Sequence, residues 1–120
     1  MRYDHISHYS PINEVIPEKV ATLVESMLKH GWIGCPILIY GDSLITGSHR
    51  LAALHQIAHE HPDAEVLTQD IAEDVTDIIE GRLAAFQAEH GYMPDIEYDH
   101  IGWLFEGTWV ERYKDSLPEW

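Results

Sequence analysis

The sequence predicts a small α/β domain of the α+β kind, a short mixed sheet packed by helices. Three observations carry this. A helical apolar pattern runs from Pro17 to His30. Two apolar runs, Pro36 to Tyr40 and Ser43 to Thr46, follow it with Gly41-Asp42 between them. A second helical pattern then opens directly behind Thr46-Gly47. Helix-period and strand-length apolar segments alternating in one short chain imply helices laid on a sheet.

The lead-in to Asn13 reads as extended, with Pro11 and Pro17 fixing turns. In the first helix Val20, Leu23, Val24, Met27 and Leu28 share one face. Pro17 suits its first turn and Gly31 its C-terminal cap. The Gly41-Asp42 pair predicts a tight hairpin turn. Ser48 is placed to cap the second helix, which runs through Leu51-Ala52-Ala53-Leu54 to Ala58. Glu65-Val66-Leu67 reads as a short strand. Asp70 to His90 reads as one long helix capped by Asp70 and closed by Gly91. Its apolar side is Ile71, Val75, Ile78, Ile79, Leu83 and Phe86, and its wet side is Glu73, Asp74, Asp77 and Glu80. After a loop at Tyr92 to Asp95, the aromatic tail of Trp103, Leu104, Phe105, Trp109 and Val110 is expected to pack back on the sheet. Trp103 and Trp109 are expected in the core, with Trp120 loose at the end.

Length and charge bound the function. A chain of 120 residues with 45% apolar residues suits a single domain over 1–120, with a core at about 6–68 and an acidic helical extension at 69–120. No run approaches the ~20 apolar residues of a membrane helix. The first residues lack a signal peptide's apolar core. No membrane association and a cytoplasmic location are the expectations. The lone Cys35, before Pro36 at the head of an apolar run, reads as a buried structural thiol. Seven basic residues against 21 acidic ones give a net charge of -14. That balance opposes DNA, whose binders present a basic face, and leaves room for a local basic pocket or a basic protein partner.

The chemistry concentrates at Thr46-Gly47-Ser48-His49-Arg50, between a strand and a helix. A helix start directs its first N–H groups outward and carries partial positive charge, which favours an anion. Gly47 allows close backbone approach, Ser48 offers a hydroxyl, and His49 an imidazole. Arg50 can grip phosphate oxygens in pairs. The plainer alternative makes Gly47 the turn, Ser48 the cap and Arg50 a partner for a carboxylate. Glu14 and Glu18 are candidate general bases if the fold brings either to the pocket; otherwise both are solvated. His55 and His59 lie one helical turn apart, a metal-compatible spacing, but without the His-Glu-x-x-His pattern they read as polar surface.

Residues Ile12 to Gln56, a little over a third of the chain, resemble the ParB/sulfiredoxin superfamily. The likeness rests on Ile16-Pro17, the helix from Val20 to Met27, Gly31, Pro36-Ile37, and Ile45-Thr46-Gly47-Ser48-His49-Arg50-Leu51-Ala52-Ala53-Leu54. It implies nucleoside triphosphate binding at this helix start, ATP or CTP with Mg²⁺, with Thr46 to Arg50 as the binding residues. It also brings NTP hydrolysis or phosphotransfer into view, with His49 beside Glu14 and Glu18 among the candidate catalytic groups. Ser48 stands where sulfiredoxins carry a reactive cysteine, so their chemistry is not implied. Partition proteins have Gly-Glu-Arg-Arg and a basic helix-turn-helix region that residues 65–120 do not show. Free serine kinases have Asp-Gly-His-His-Arg; here Thr46 replaces the Asp, Ser48 the first His, and Asn13 falls where their catalytic acid is expected. Two rival functions stay open: a ParB-like DNA-binding protein or nuclease, and a non-catalytic acidic interaction module.

Overall fold

In a computed structural model of the chain, residues 1–11, 14–41, 43–93 and 105–113 are described. Among them are three helices, α1 (Pro17–His30), α2 (Ser48–Glu60) and α3 (Thr76–His90). Three strands, β1 (Ile37–Tyr40), β2 (Ser43–Thr46) and β3 (Ala72–Asp74), form one mixed sheet in the order β2-β1-β3. This is a small α+β fold. Expectations for Asn13, Asp42, Pro94, Asp95, Trp103, Leu104 and Trp120 fall outside the described residues.

The central strand explains the layers. β1 pairs antiparallel with β2 and parallel with β3. Its apolar run is unbroken because both its faces are covered. Ile37 and Ile39 face a core with Val20, Val24 and Met27 of α1 and Leu51, Leu54 and Ile57 of α2. Leu38 faces the other way, toward Cys35, Ile45, Val75, Ile79, Leu83, Phe105 and Val110. A bulge between Leu38 and Ile39 shifts the register so that Leu38 opposes Thr46 and Ile39 opposes Leu44. The extra residue is Ile45, which joins Leu38 in the second core while Leu44 stays in the first.

α1 and the hairpin lie where the sequence predicts them. Gly31 closes α1 with φ 73° and its N–H on the Met27 carbonyl. The chain after Glu60 departs from expectation. Residues Glu65–Thr68 form a 3-10 turn, not a strand; Val66 is buried, and the Thr68 hydroxyl donates to the Glu65 carbonyl at 2.8 Å. Both edges of β1 are already taken, by β2 and β3, so this segment has no place beside it. The expected helix from Asp70 is also corrected. Residues Ala72–Asp74 are a strand, and α3 starts at Thr76. The Ile37 N–H donates to the Ile71 carbonyl at 2.9 Å, and the Val75 N–H to the Ile39 carbonyl at 2.8 Å. The Glu73 and Asp74 positions therefore belong to the sheet, while Asp77 and Glu80 lie exposed on α3. Asp70 does not cap a helix; it accepts a hydrogen bond from the Met1 nitrogen. Phe105 and Val110 do pack under the sheet, whereas Trp109, expected in the core, is 42% exposed. No helix among the described residues is long and apolar enough to cross a membrane.

Candidate anion site at two helix starts

β2 delivers the chain to Gly47, which caps α2 in the left-handed region at φ 99°. A Cβ there would lie 2.9 Å from the Ile37 Cγ1. The glycine is thus required by its dihedral and by the β1 side chain behind it, independently of any ligand. Because Gly47 takes the capping position, Ser48 is not the cap. It is the first helical residue and is buried, and no side chain caps α2. Thr46 ends β2, opposite Leu38.

His49 is half-buried, and its Nε2 accepts the Ile16 N–H at 3.0 Å. An imidazole that accepts at Nε2 and is neutral carries its proton on Nδ1. Ile16 is the capping residue of α1. This one bond therefore joins the N-terminus of α1 to that of α2. Glu14 and Glu18 flank Ile16 and are both exposed, Glu18 in the first turn of α1. The candidate bases and the Gly47–Arg50 turn, separated by about thirty positions in the chain, come to the same end of the helical layer.

Arg50 reaches sideways. Its Nη1 donates to the Cys35 carbonyl at 3.1 Å, and its guanidinium lies over the Trp32 ring at 4.8 Å from the centroid. Gly34 lets it pass: a Cβ on Gly34 would sit 3.0 Å from Nη2. Burial lowers the pKa of Arg50, opposed by the neighbouring Cys35. The loop from Gly31 to Cys35 is held from the other side by Gln69, whose Oε1 accepts the Trp32 N–H at 2.8 Å.

Beyond that loop lies a cleft of about 360 Å³ that motif reading did not find. Trp32, Gly34, Asp70, Glu73, Trp109 and Arg112 are among the residues that line it. Arg112 sits over the Tyr113 ring at 4.7 Å. The indole Nε1 of Trp32 is buried with no hydrogen-bond partner among the described residues. Glu73 is half-buried and likewise makes no hydrogen bond or ion pair there. The available signal was Trp32 and Gly34 in a loop between a helix and a buried strand; the 70–73 and 109–113 segments join it only through tertiary structure.

The histidine pair is structural on one side. His55 Nε2 meets the Tyr9 carbonyl at 2.8 Å and Nδ1 the Tyr3 hydroxyl at 2.6 Å, so both its nitrogens are engaged, while His59 is exposed. Among the described residues no three acidic, imidazole or thiol groups converge as a metal site. In comparisons with known proteins, no family model, no curated protein and no solved structure matches this chain.

Proposed function

We propose that this chain is a nucleotide-binding domain of the ParB/sulfiredoxin type that holds phosphates where α1 and α2 begin. One observation carries the reading: the Ile16 N–H···Nε2 His49 bond at 3.0 Å, which brings two helix N-termini together. Each start carries about half a positive charge, so two starts at one place favour an anion more than either does alone. His49 and Arg50 both belong to the first turn of α2; the His49 imidazole lies at the Ile16 N–H, while the Arg50 guanidinium reaches to the Cys35 carbonyl and Trp32. In a chain of net charge -14 such a local site favours a small polyanion over a nucleic-acid surface. ATP or CTP with Mg²⁺ fits this chemistry. The ion would be held by phosphate oxygens and water rather than by a protein cage.

Hydrolysis or phosphoryl transfer would take its base from Glu14 or Glu18, beside Ile16. A base there would draw the proton from the attacking hydroxyl or water. Neither carboxylate is oriented by a hydrogen bond or ion pair among the described residues, which favours binding without turnover as the second reading.

A thermal-shift series with ATP, CTP, GTP and UTP, each with Mg²⁺, tests the site. A nucleotide at about 100 times its Kd stabilises by about 2.7 kcal/mol, roughly 10 °C in Tm for a domain of this size. His49→Ala and Arg50→Ala are each expected to remove the shift. No shift with any of the four nucleotides overturns the reading. Phosphate release that falls about a hundredfold in Glu14→Gln or Glu18→Gln would separate turnover from binding alone.

A further inference from the structure

Resting on the phosphate site above, we infer that Trp32 is a positioning residue that withholds the Arg50 guanidinium from that site, an autoinhibitory contact that a bound polyphosphate has to open. His49 and Arg50 are neighbours in the first turn of α2, yet different segments hold them. The His49 Nε2 accepts the N–H of Ile16, which precedes α1. The Arg50 guanidinium is held by Trp32 and Cys35, which follow α1. One anion gripped by both side chains requires one of these contacts to yield. The His49 contact joins the two helix starts that build the site, so the Arg50 contact is the one that gives way.

The loop between α1 and β1 is shaped to hold that cation. Trp32 offers a ring face 4.8 Å from the guanidinium carbon, and the Cys35 carbonyl accepts from Nη1 at 3.1 Å. Gly34, at φ 94°, leaves open the space that a Cβ would fill 3.0 Å from Nη2. Gln69 steadies the loop by accepting the Trp32 N–H at 2.8 Å. A carbonyl and an indole face bear only partial negative charge. Arg50 is half-buried between them, and burial lowers its pKa there. Phosphate oxygens bear full charge and take two parallel N–H bonds from one guanidinium, each about twice as strong as a neutral bond. A polyphosphate therefore competes with the loop for the same cation. The stack on Trp32 sets how much affinity the polyphosphate spends in drawing Arg50 across.

Calorimetric titration of the full chain with inorganic tripolyphosphate, with proton NMR of the same samples, tests this. In the free chain, through-space cross-peaks are expected between the Arg50 methylene protons and the Trp32 ring; with tripolyphosphate bound they should vanish. Trp32→Leu, which keeps an apolar side chain but no ring face, should bind tripolyphosphate about threefold to tenfold tighter than the wild type. Trp32→Phe, which restores a weaker face, should fall between the two. In Arg50→Ala, which lacks the cation, adding Trp32→Leu should restore no affinity, a dependence that a merely structural role of Trp32 does not produce. Cross-peaks that persist in the tripolyphosphate complex, or a Trp32→Leu affinity equal to or weaker than that of the wild type, overturn the inference and leave the phosphate site standing. Should Trp32→Leu not fold, the wild-type spectra decide alone. Absence of binding by wild type and Trp32→Leu alike overturns both.

Discussion

Cys35 shows how one side chain ties the site to stability. It is fully buried among Leu38, Ile45 and Phe105, and its carbonyl holds Arg50. Burial pushes the thiol from its ordinary 9.0 up to about 12, although the charges of Arg50 and Arg112 pull it down. The folded chain thus keeps a proton that the unfolded chain releases above 9.0. The stability this provides is complete below that pH and is lost as pH rises toward 12. Urea midpoints measured at pH 8 and pH 10.5 should fall in the wild type and fall less in Cys35→Ala. Tyr3, whose hydroxyl burial also raises, contributes the same slope to both proteins and cancels in the comparison. The native thiol should resist alkylation at pH 8 and react once urea unfolds the chain. The buried character of Cys35 was legible from its place before Pro36. The reason for Gly47 was legible only in half: the turn is written in the sequence, but Ile37, which forbids a Cβ, lies ten positions away and meets it only across the hairpin. Ser48 has the chemistry of a cap, yet the helix takes Gly47 in that place.

At the scale of elements, the segment from Asp70 to Thr76 is where local pattern and tertiary demand part. Ile71, Val75 and Ile79 recur every fourth residue, which is helical spacing, and Ala-Glu-Asp is a poor strand sequence. The outer edge of β1 decides otherwise, since its backbone groups need partners and residues 71–75 supply them. The helix then starts one turn late. Val75 takes the capping position and no side chain caps α3; Asp74, one residue earlier, holds the first helical residue instead, its Oδ1 accepting the Thr76 N–H at 2.8 Å and the Thr76 hydroxyl at 2.5 Å. That hydroxyl in turn accepts the Gly41 N–H at 2.8 Å, so the start of α3 is tied to the hairpin turn. Loss of these two hydrogen bonds in Asp74→Ala should cost about 1 kcal/mol, and Asp74→Asn less, by chemical denaturation. By contrast α1, with Pro17 at its head and Gly31 at its end, buries Val20, Val24 and Met27 as its spacing predicts, although Leu28, placed on the same face, is 43% exposed.

The whole molecule is built around a strand covered on both faces. The first core draws on residues before Asp74, and the second needs Val75, Ile79, Leu83, Phe105 and Val110. A chain ending at Thr68 would lose β3 and most of the second core together. It would present Ile37, Leu38 and Ile39 along an open edge. Such a truncation is expected to unfold without a cooperative transition and to aggregate, as read by urea titration and light scattering. The residues of the proposed anion site, by contrast, all lie within the first 60, on α1, α2 and the turn before α2.

The parallel pairing of β1 with β3 also sets an order in time. Ile37 and Ala72 stand opposite one another but 35 positions apart. At about 5–20 residues per second of synthesis, the nascent β1 waits roughly two to seven seconds for its partner to leave the ribosome. During that interval α1 and the hairpin, and then α2, can already assemble, while one apolar margin stays open to whatever the cell supplies.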